Sequence, residues 1–365
     1  MQWTTQEIQW MALALRQAER GLYTTSPNPH VGCVIVKDGK LIGEGAHLKA
    51  GEPHAEVHAL RQAGTDVKGA TAYVTLEPCS HYGRTPPCAH ALVEAGIRRV
   101  YVAMQDPNPL VAGQGIAYLQ DHGIEVHAGL LEAQAQALNP GFVLRMAQQR
   151  PYVRLKVAAS LDGKTALANG VSQWITSPAS RRDVHHWRAR SCAMLTGIGT
   201  ILHDNPSLTV RDVDTSRQPV RVIVDSQLRI PLNAKVLEQG HAIIAFAQAP
   251  EDKIARLQAL GVQTLALPDA AGQVDIAGLL QQLAQQQLNE ILVEAGAGLN
   301  GALLQTGLVD ELLLYYAPKL MGTTGTGMFT LPAFTEMSQS MDLDLKDVRQ
   351  FGQDIRIQAT LRSSH

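Results

Sequence analysis

Apolar and polar positions follow two rhythms along this chain. Over residues 4–20, Ile8, Met11, Ala12, Leu15 and Ala18 recur at spacings of one to four, which predicts a helix with one apolar face. Val31-Gly32-Cys33-Val34-Ile35-Val36 is a buried strand, Asp38-Gly39 is a hairpin turn signal, and residues 41–45 form the returning strand. The pattern then predicts a helix over 54–63, a strand over 72–76, a helix over 87–95, a strand over 100–104 and one long helix over 132–148. Pro151 stops that helix. Strands follow over 152–159, 193–196, 220–225, 242–246, 291–294 and 312–316. Leu279, Leu280, Leu283 and Leu288 interleave with a glutamine cluster, an amphipathic helix pattern. Strands alternating with helices predict an α/β protein in two series, with a boundary near residues 145–151 and domains of 1–146 and 147–365.

Composition narrows the function. Lys plus Arg is 31 and Asp plus Glu is 33, a net charge of -2, and only 5% of residues are aromatic. A large nucleic-acid surface leaves a basic footprint that is missing here, so no nucleic-acid partner is expected. No run of 18 apolar residues suggests a membrane span, and Met1-Gln2-Trp3-Thr4-Thr5-Gln6-Glu7 lacks the basic start of a signal peptide. A reducing cytoplasm is expected, where clustered cysteines bind metal or react. Of the four cysteines, Cys33 and Cys192 match no ligand pattern and read as buried apolar residues.

The other two belong to the strongest constellation: Pro53-His54-Ala55-Glu56, then Pro78-Cys79, then Cys88. One imidazole and two thiolates suit tetrahedral zinc with one position left for water. Zinc lowers the pKa of such a water to near neutrality, and a carboxylate nearby can shuttle protons to a leaving amine. His54 and Glu56 are about 200° apart on a regular helix. They converge only at a helix start, which Pro53 marks, or through Glu56 reaching around the helix. Both cysteines also sit at turns or helix starts, where thiolate is favoured. Two other readings stay open: unrelated buried residues, or a closed structural zinc with His58 or His81 as fourth ligand.

In the second half, Gly296, Gly298 and Gly301 spell G-x-G-x-x-G after a strand and before a helix. Such a turn lets backbone approach a pyrophosphate, although a tight turn alone also explains it. No acidic residue ends the next strand at Tyr315-Tyr316-Ala317, so NADPH is allowed. Lys156, Arg188 and Arg211, expected near strand ends or loops, are spaced for a small anion such as phosphate.

His-x-Glu with a Pro-Cys ligand run is the signature of zinc nucleobase deaminases. Here eight residues, not two, separate Cys79 from Cys88. That loop, with Asn28-Pro29-His30-Val31-Gly32 and Gly51-Glu52-Pro53-His54-Ala55-Glu56, resembles the deaminase domain of the RibD family of bifunctional riboflavin-biosynthesis enzymes. Leu155-Lys156-Val157-Ala158-Ala159-Ser160-Leu161-Asp162-Gly163-Lys164, Ser172-Gln173-Trp174-Ile175-Thr176, Asp204-Asn205-Pro206-Ser207 and Val293-Glu294-Ala295-Gly296 are similar to that family's reductase domain. The resemblance implies a cytidine-deaminase-like three-layer α/β/α domain followed by a dihydrofolate-reductase-like α/β domain. It implies one zinc held by His54, Cys79 and Cys88, with Glu56 moving protons while water replaces the 2-amino group of 2,5-diamino-6-(5-phosphoribosylamino)pyrimidin-4(3H)-one. Asn28, His47, His81 and Arg84 are candidate contacts to that substrate.

The resemblance further implies that Ala158, Trp174, Thr200, Asp204, Ser226 and the run Gly296, Ala297, Gly298, Leu299, Asn300, Gly301 and Ala302 contact NADPH. Ser172, Arg188, Leu208, Arg211 and Glu294 would contact the phosphoribosyl substrate while its ribose is reduced to a ribityl chain. Asp204, Glu294 and Lys156 are the candidate proton donors for that step. A homo-oligomer, dimer or tetramer, is expected. The competing reading is a zinc deaminase of nucleic-acid bases with a non-catalytic nucleotide-binding second domain.

Overall fold

The computed structural model describes residues 2–80, 87–109, 111–238 and 240–362. The chain divides into two compact units, Met1–Gln149 and Arg150–His365, each with its own core.

The first unit runs α1 (Thr5–Glu19), β1 (Gly32–Lys37), β2 (Lys40–Ala46), α2 (Ala55–Ala63), β3 (Thr71–Leu76), α3 (Cys88–Glu94), β4 (Arg99–Met104), α4 (Gln114–Asp121), β5 (Glu125–Ala128), α5 (Glu132–Leu138) and α6 (Pro140–Gln148). Its five strands lie in the order β2-β1-β3-β4-β5, the β1 pairings antiparallel and β3-β4-β5 parallel. Glycines decide how closely helices approach both faces. A Cβ on Gly32 would fall 1.9 Å from the carbonyl oxygen of Ala14 in α1. On Gly43 and Gly45 it would fall 2.2 Å from carbonyl oxygens of Ala59 and Ala55 in α2. Gly45 pairs across from Cys33, the neighbour of Gly32, so α1 and α2 cover opposite faces of the sheet. This is the three-layer α/β/α arrangement.

The single helix expected over 132–148 is two helices. Pro140 removes a backbone N–H and starts α6. Asn139, between them, accepts from the His30 N–H at 2.7 Å and donates to the His30 carbonyl at 3.0 Å, tying the break to the chain entering β1.

The second unit runs β6 (Tyr152–Ser160), β7 (Lys164–Ala166), α7 (Pro178–Arg190), β8 (Ala193–Gly197), α8 (Ile198–Asp204), β9 (Val220–Val224), β10 (Ala242–Phe246), α9 (Glu251–Ala259), β11 (Gln263–Ala266), α10 (Ile276–Gln285), β12 (Glu290–Val293), α11 (Ala297–Gln305), β13 (Glu311–Ala317), β14 (Thr326–Gly327), β15 (Leu343–Phe351) and β16 (Asp354–Leu361). Its main sheet has the order β11-β10-β9-β8-β12-β6-β13-β16-β15. The seven strands from β11 to β13 are parallel, and β16 and β15 close one side antiparallel. Alternation sends Val153, Leu195, Ile243, Val293 and Leu312 to one core with α10 and α11. Met194, Ile244, Leu292 and Leu313 go to the other with α7, α8 and α9. Strands buried on both faces read as continuous apolar runs, which is why they were legible. The chain steps outward from β8 through β11, while β12 fills in between β8 and β6. Ligands bind beyond the carboxyl ends of strands where the order reverses in this way. No helix among the described residues is long and apolar enough to cross a membrane.

Candidate active sites

In the first unit, His54 is the N-cap of α2, its backbone extended (φ -74, ψ 167) and not yet helical. That lets its ring and the Glu56 side chain meet despite their two-residue spacing. Cys79 follows β3, and Cys88 opens α3 behind Pro87. The Cys88 Sγ lies 3.3 Å from His54 Nδ1 and the Cys79 Sγ 3.7 Å from it, all three donor atoms falling within 4.8 Å of one another. Metal bonds of about 2.0–2.3 Å in a tetrahedron give ligand separations of roughly 3.5 Å. The donor set therefore fits zinc without rearrangement, and no fourth protein donor joins it among the described residues. His58 is not part of the cluster, and His81 lies outside the described residues.

Glu56 is 3% exposed, and its Oε2 has no partner among the described residues. An unpaired buried carboxylate oxygen is costly unless something polar arrives there. Burial, with the Cys79 thiolate next, pushes the Glu56 carboxyl up to about 7. The thiols titrate as a pair. Cys79 ionises readily, stabilised first by the Cys88 thiol and then by His54 and the Cys88 backbone N–H, which donates to it at 3.3 Å. Cys88, facing that thiolate, holds its proton more tightly.

Two polar residues flank the cluster. His47 is buried, its ring edge-on to that of His54 at 5.2 Å. Its Nδ1 donates to the Pro53 carbonyl at 3.2 Å, leaving Nε2 to accept from the Asn28 amide at 3.1 Å. Burial holds the ring below the usual histidine range, hence neutral. Arg84 lies outside the described residues, as does His81.

Sequence reasoning missed Glu77. Its buried carboxylate accepts four backbone N–H groups: Asp106 at 3.1 Å and Gly113 at 3.0 Å on Oε2, Gly115 at 2.8 Å and Ile116 at 3.2 Å on Oε1. A Cβ on Gly115 would lie 1.9 Å from the Pro78 carbonyl oxygen. The Pro78-Cys79 turn thus rests on the start of α4, with Glu77 as the clamp. Only its position before Pro78-Cys79 could have signalled this.

In the second unit the candidate residues gather at the carboxyl ends of adjacent strands. Ser226 follows β9, Thr200 lies in α8 behind β8, and Glu294 with Gly296 follows β12 beside β6, which carries Ala158. Gly296 is the N-cap of α11. A Cβ on Gly296 or on Gly298 would meet nothing within 4 Å, so a ligand can approach the backbone there. A Cβ on Gly301 would meet the Thr330 carbonyl oxygen at 1.9 Å. Gly301 serves close packing. Asn300 also turns inward, donating to the Ala295 and Met328 carbonyls at 3.1 and 3.3 Å. Leu299 packs over Gly197, joining this turn to the end of β8. Ala297 and Ala302 lie in the same helix.

Asp204 accepts from the Gln173 amide at 3.4 Å, which links α8 to the loop carrying Ser172 and Trp174. The Trp174 ring is 65% exposed and lies under the Arg181 guanidinium at 4.5 Å. Lys156 and Arg188 are not at strand ends or in loops as expected: Lys156 is inside β6 and Arg188 is in the last turn of α7. Their strand and helix deliver them to Glu294, which Arg188 grips bidentately at 2.7 and 3.0 Å with Lys156 at 3.6 Å. Burial alone would raise the Glu294 carboxyl; Arg188 and then Lys156 outweigh it and hold it down to about 2. The Leu208 side chain is in the core, so that residue presents only backbone to a ligand, and Arg211 is exposed.

Fold and donor set together define an α/β unit with the ligand set of a catalytic zinc site, joined on one chain to a second α/β unit whose candidate residues line the carboxyl ends of its parallel strands. Residues 4–104 match the family described as the cytidine and deoxycytidylate deaminase zinc-binding region, and residues 151–357 match the RibD C-terminal domain. The chain is 52% identical to the riboflavin biosynthesis protein RibD of Escherichia coli strain K12, over 96% of this chain and 98% of that one. It is 46% identical to the Bacillus amyloliquefaciens RibD, over 97% and 96%. Among solved structures, Acinetobacter baumannii RibD (form 1) superposes with a TM-score of 0.92 at 51% identity, covering 98% of this chain and 99% of that one. A Thermotoga maritima deaminase/reductase superposes with a TM-score of 0.87 at 34% identity, covering 98% and 99%. The chain belongs to the RibD family. It is a bifunctional deaminase and reductase of riboflavin biosynthesis, acting on a small molecule with zinc and NADPH as cofactors.

Proposed function

We propose a division of labour among named residues, with a deaminase domain over residues 1–146 and a reductase domain over 147–365. His54, Cys79 and Cys88 hold the metal, which supplies a water acid enough to lose a proton near neutral pH. Glu56 would hold and release the proton that the leaving nitrogen needs, as water oxygen bonds the ring carbon and the 2-amino group of 2,5-diamino-6-(5-phosphoribosylamino)pyrimidin-4(3H)-one departs as ammonia. Burial pushes this carboxyl up from its ordinary value, which favours a group that must both take and release a proton. Asn28 and His47 exchange their mutual hydrogen bond for bonds to the substrate, and His81 and Arg84 meet its polar groups. The observation that carries this reading is the Glu56 oxygen left without a partner among the described residues, in the unit that sets three donors at metal-ligand spacing.

In the reductase, Gly296, Ala297, Gly298 and Leu299, with Ala158, Trp174, Thr200, Asp204 and Ser226, bind NADPH, whose chemistry is hydride donation. Asn300 and Gly301 shape that loop from behind, and Ala302, exposed on the same helix, joins the NADPH contacts. Ser172, Leu208, Arg188 and Arg211 bind the phosphoribosyl substrate. Glu294 carries no proton to give at neutral pH and instead orients Arg188 and Lys156. Lys156 then hands a proton to the ribose ring oxygen as C1′ is reduced. The chain works in the cytoplasm as a homo-oligomer, a dimer or tetramer measurable by light scattering, with no nucleic-acid partner.

Product mass tests the reaction. Zinc-loaded protein mixed with the diamino phosphoribosyl pyrimidine is expected to yield a deaminated product without NADPH, and a deaminated and reduced product with it. Unchanged substrate in both samples would reject the assignment.

A further inference from the structure

Arg211 is exposed on a loop, yet the backbone leading to it is held at each residue. The Thr209 carbonyl accepts from Arg188 Nη1 at 3.1 Å. Val210 donates its N–H to Gln218 Oε1 at 2.7 Å and accepts from Gln218 Nε2 at 3.2 Å. The Arg211 N–H donates to His185 Nδ1 at 3.0 Å. Leu208 (φ 51) and Asp212 (φ 63) bracket this stretch in the left-handed region, where residues other than glycine stay only when their surroundings over-determine them. Leu208 supplies one anchor with its buried side chain. Arg188 supplies a second at Thr209, and His185 and Gln218 supply two more; neither of these last two belongs to any ligand motif in the sequence.

We propose that His185 and Gln218 are positioning residues of the reductase: they fix the backbone of residues 209–211 so that Arg211 meets the substrate phosphate alongside Arg188. The inference rests on the reading of Arg211 as a substrate contact. His185 has the chemistry the task needs. Accepting at Nδ1 requires a neutral ring with its proton on Nε2. Burial, with Arg188 and Arg211 nearby, pushes its pKa down to about 4, so it stays an acceptor at neutral pH. A loop ordered in advance spares the substrate the entropy of ordering it.

Reductase kinetics of the full chain test this, with saturating NADPH and the deaminated substrate in phosphorylated and dephosphorylated forms. His185→Phe keeps a ring and removes the acceptor; His185→Asn restores an acceptor at about the Nδ1 position; Gln218→Ala removes the second clamp from the exposed side. His185→Phe and Gln218→Ala are expected to raise KM for the phosphorylated substrate by about tenfold, the scale of one lost hydrogen bond to an ordered group. kcat should stay within about twofold, KM for the dephosphorylated substrate should not change, and His185→Asn should recover most of the loss. Arg211→Ala is run beside them. If Arg211→Ala raises KM for the phosphorylated form and the other two do not, the positioning role is overturned while the contact stands. If Arg211→Ala leaves that KM unchanged, both ideas fall. If His185→Phe misfolds, Gln218→Ala alone decides, and an unchanged KM there overturns the proposal.

Discussion

Glu77→Gln tests whether a carboxylate outside the ligand set governs the metal site. The substitution keeps one oxygen and replaces the other with an amide that can only donate. Either the N–H pair of Gly115 and Ile116 or that of Asp106 and Gly113 then faces a donor. Hydrogen bonds to a charged group contribute about 1.5–3 kcal/mol each, so two lost bonds give about 3–6 kcal/mol. Removing a buried charge offsets part of this, leaving an expected loss of about 3 kcal/mol from the local stability of residues 105–117. Because Gly115 abuts the Pro78 carbonyl so closely that an added Cβ would fall 1.9 Å from its oxygen, the Cys79 turn shifts with that segment. Mutation of residues supporting metal ligands typically costs about 10–100-fold in affinity. Two readouts follow. Hydrogen exchange with mass spectrometry should show the 105–117 peptides losing protection by about two orders of magnitude, while peptides of α1 and β1 are unchanged. Competition with a chromophoric chelator should show zinc held at least about tenfold more weakly. Unchanged protection together with unchanged zinc affinity would refute the clamp and leave Glu77 as an incidental buried acid.

Three further outcomes are expected. Cys79→Ser should abolish deamination but spare reduction of pre-deaminated substrate; equal loss of both in folded protein would sink the assignment of separate sites. The Glu294 carboxyl lies at about 2 in the folded chain against an ordinary 4.5, so the unfolded state binds more protons between those values and its contribution to stability, about 3 kcal/mol, is complete above pH 4.5 and lost as pH falls toward 2. Denaturant titrations of wild type and Glu294→Gln across that window should converge at the acid end, and parallel curves would contradict the ion-pair reading. Gly301→Ala forces a methyl against the Thr330 carbonyl, an overpacking cost of about 1–3 kcal/mol, which a lower thermal midpoint and a higher KM for NADPH would register; a neutral effect on both would mean that the 328–330 segment yields easily.

Much of the fold was legible because it rests on local pattern. The strands buried on both faces, β6, β8, β9, β10, β12 and β13, read as apolar runs. The break at Pro151 separates two series that the structure also keeps as two compact units. Elements with weaker pattern escaped. β5 is short and half-exposed, β15 is an edge strand with mostly exposed residues, and α4 precedes β5 on a segment the pattern did not mark. Edge strands bury one face at most, so their sequence need not be apolar.

The sequence by itself determined the chemistry, since zinc donors, the carboxylate between them and the glycine turn are covalent identities at short spacing. Tertiary structure decided what those groups do. Pro140 breaks the helix locally, but Asn139 is fixed in that break by His30, 109 residues away. Glu294 is held ionised because α7 brings Arg188 across 106 residues. Glu77 becomes a clamp only when α4 folds over it, and His185 an acceptor only when the loop at Arg211 closes on α7. Each depends on contacts between distant segments and on burial, which set whether a polar group is paired and charged, and neither is written in local sequence pattern.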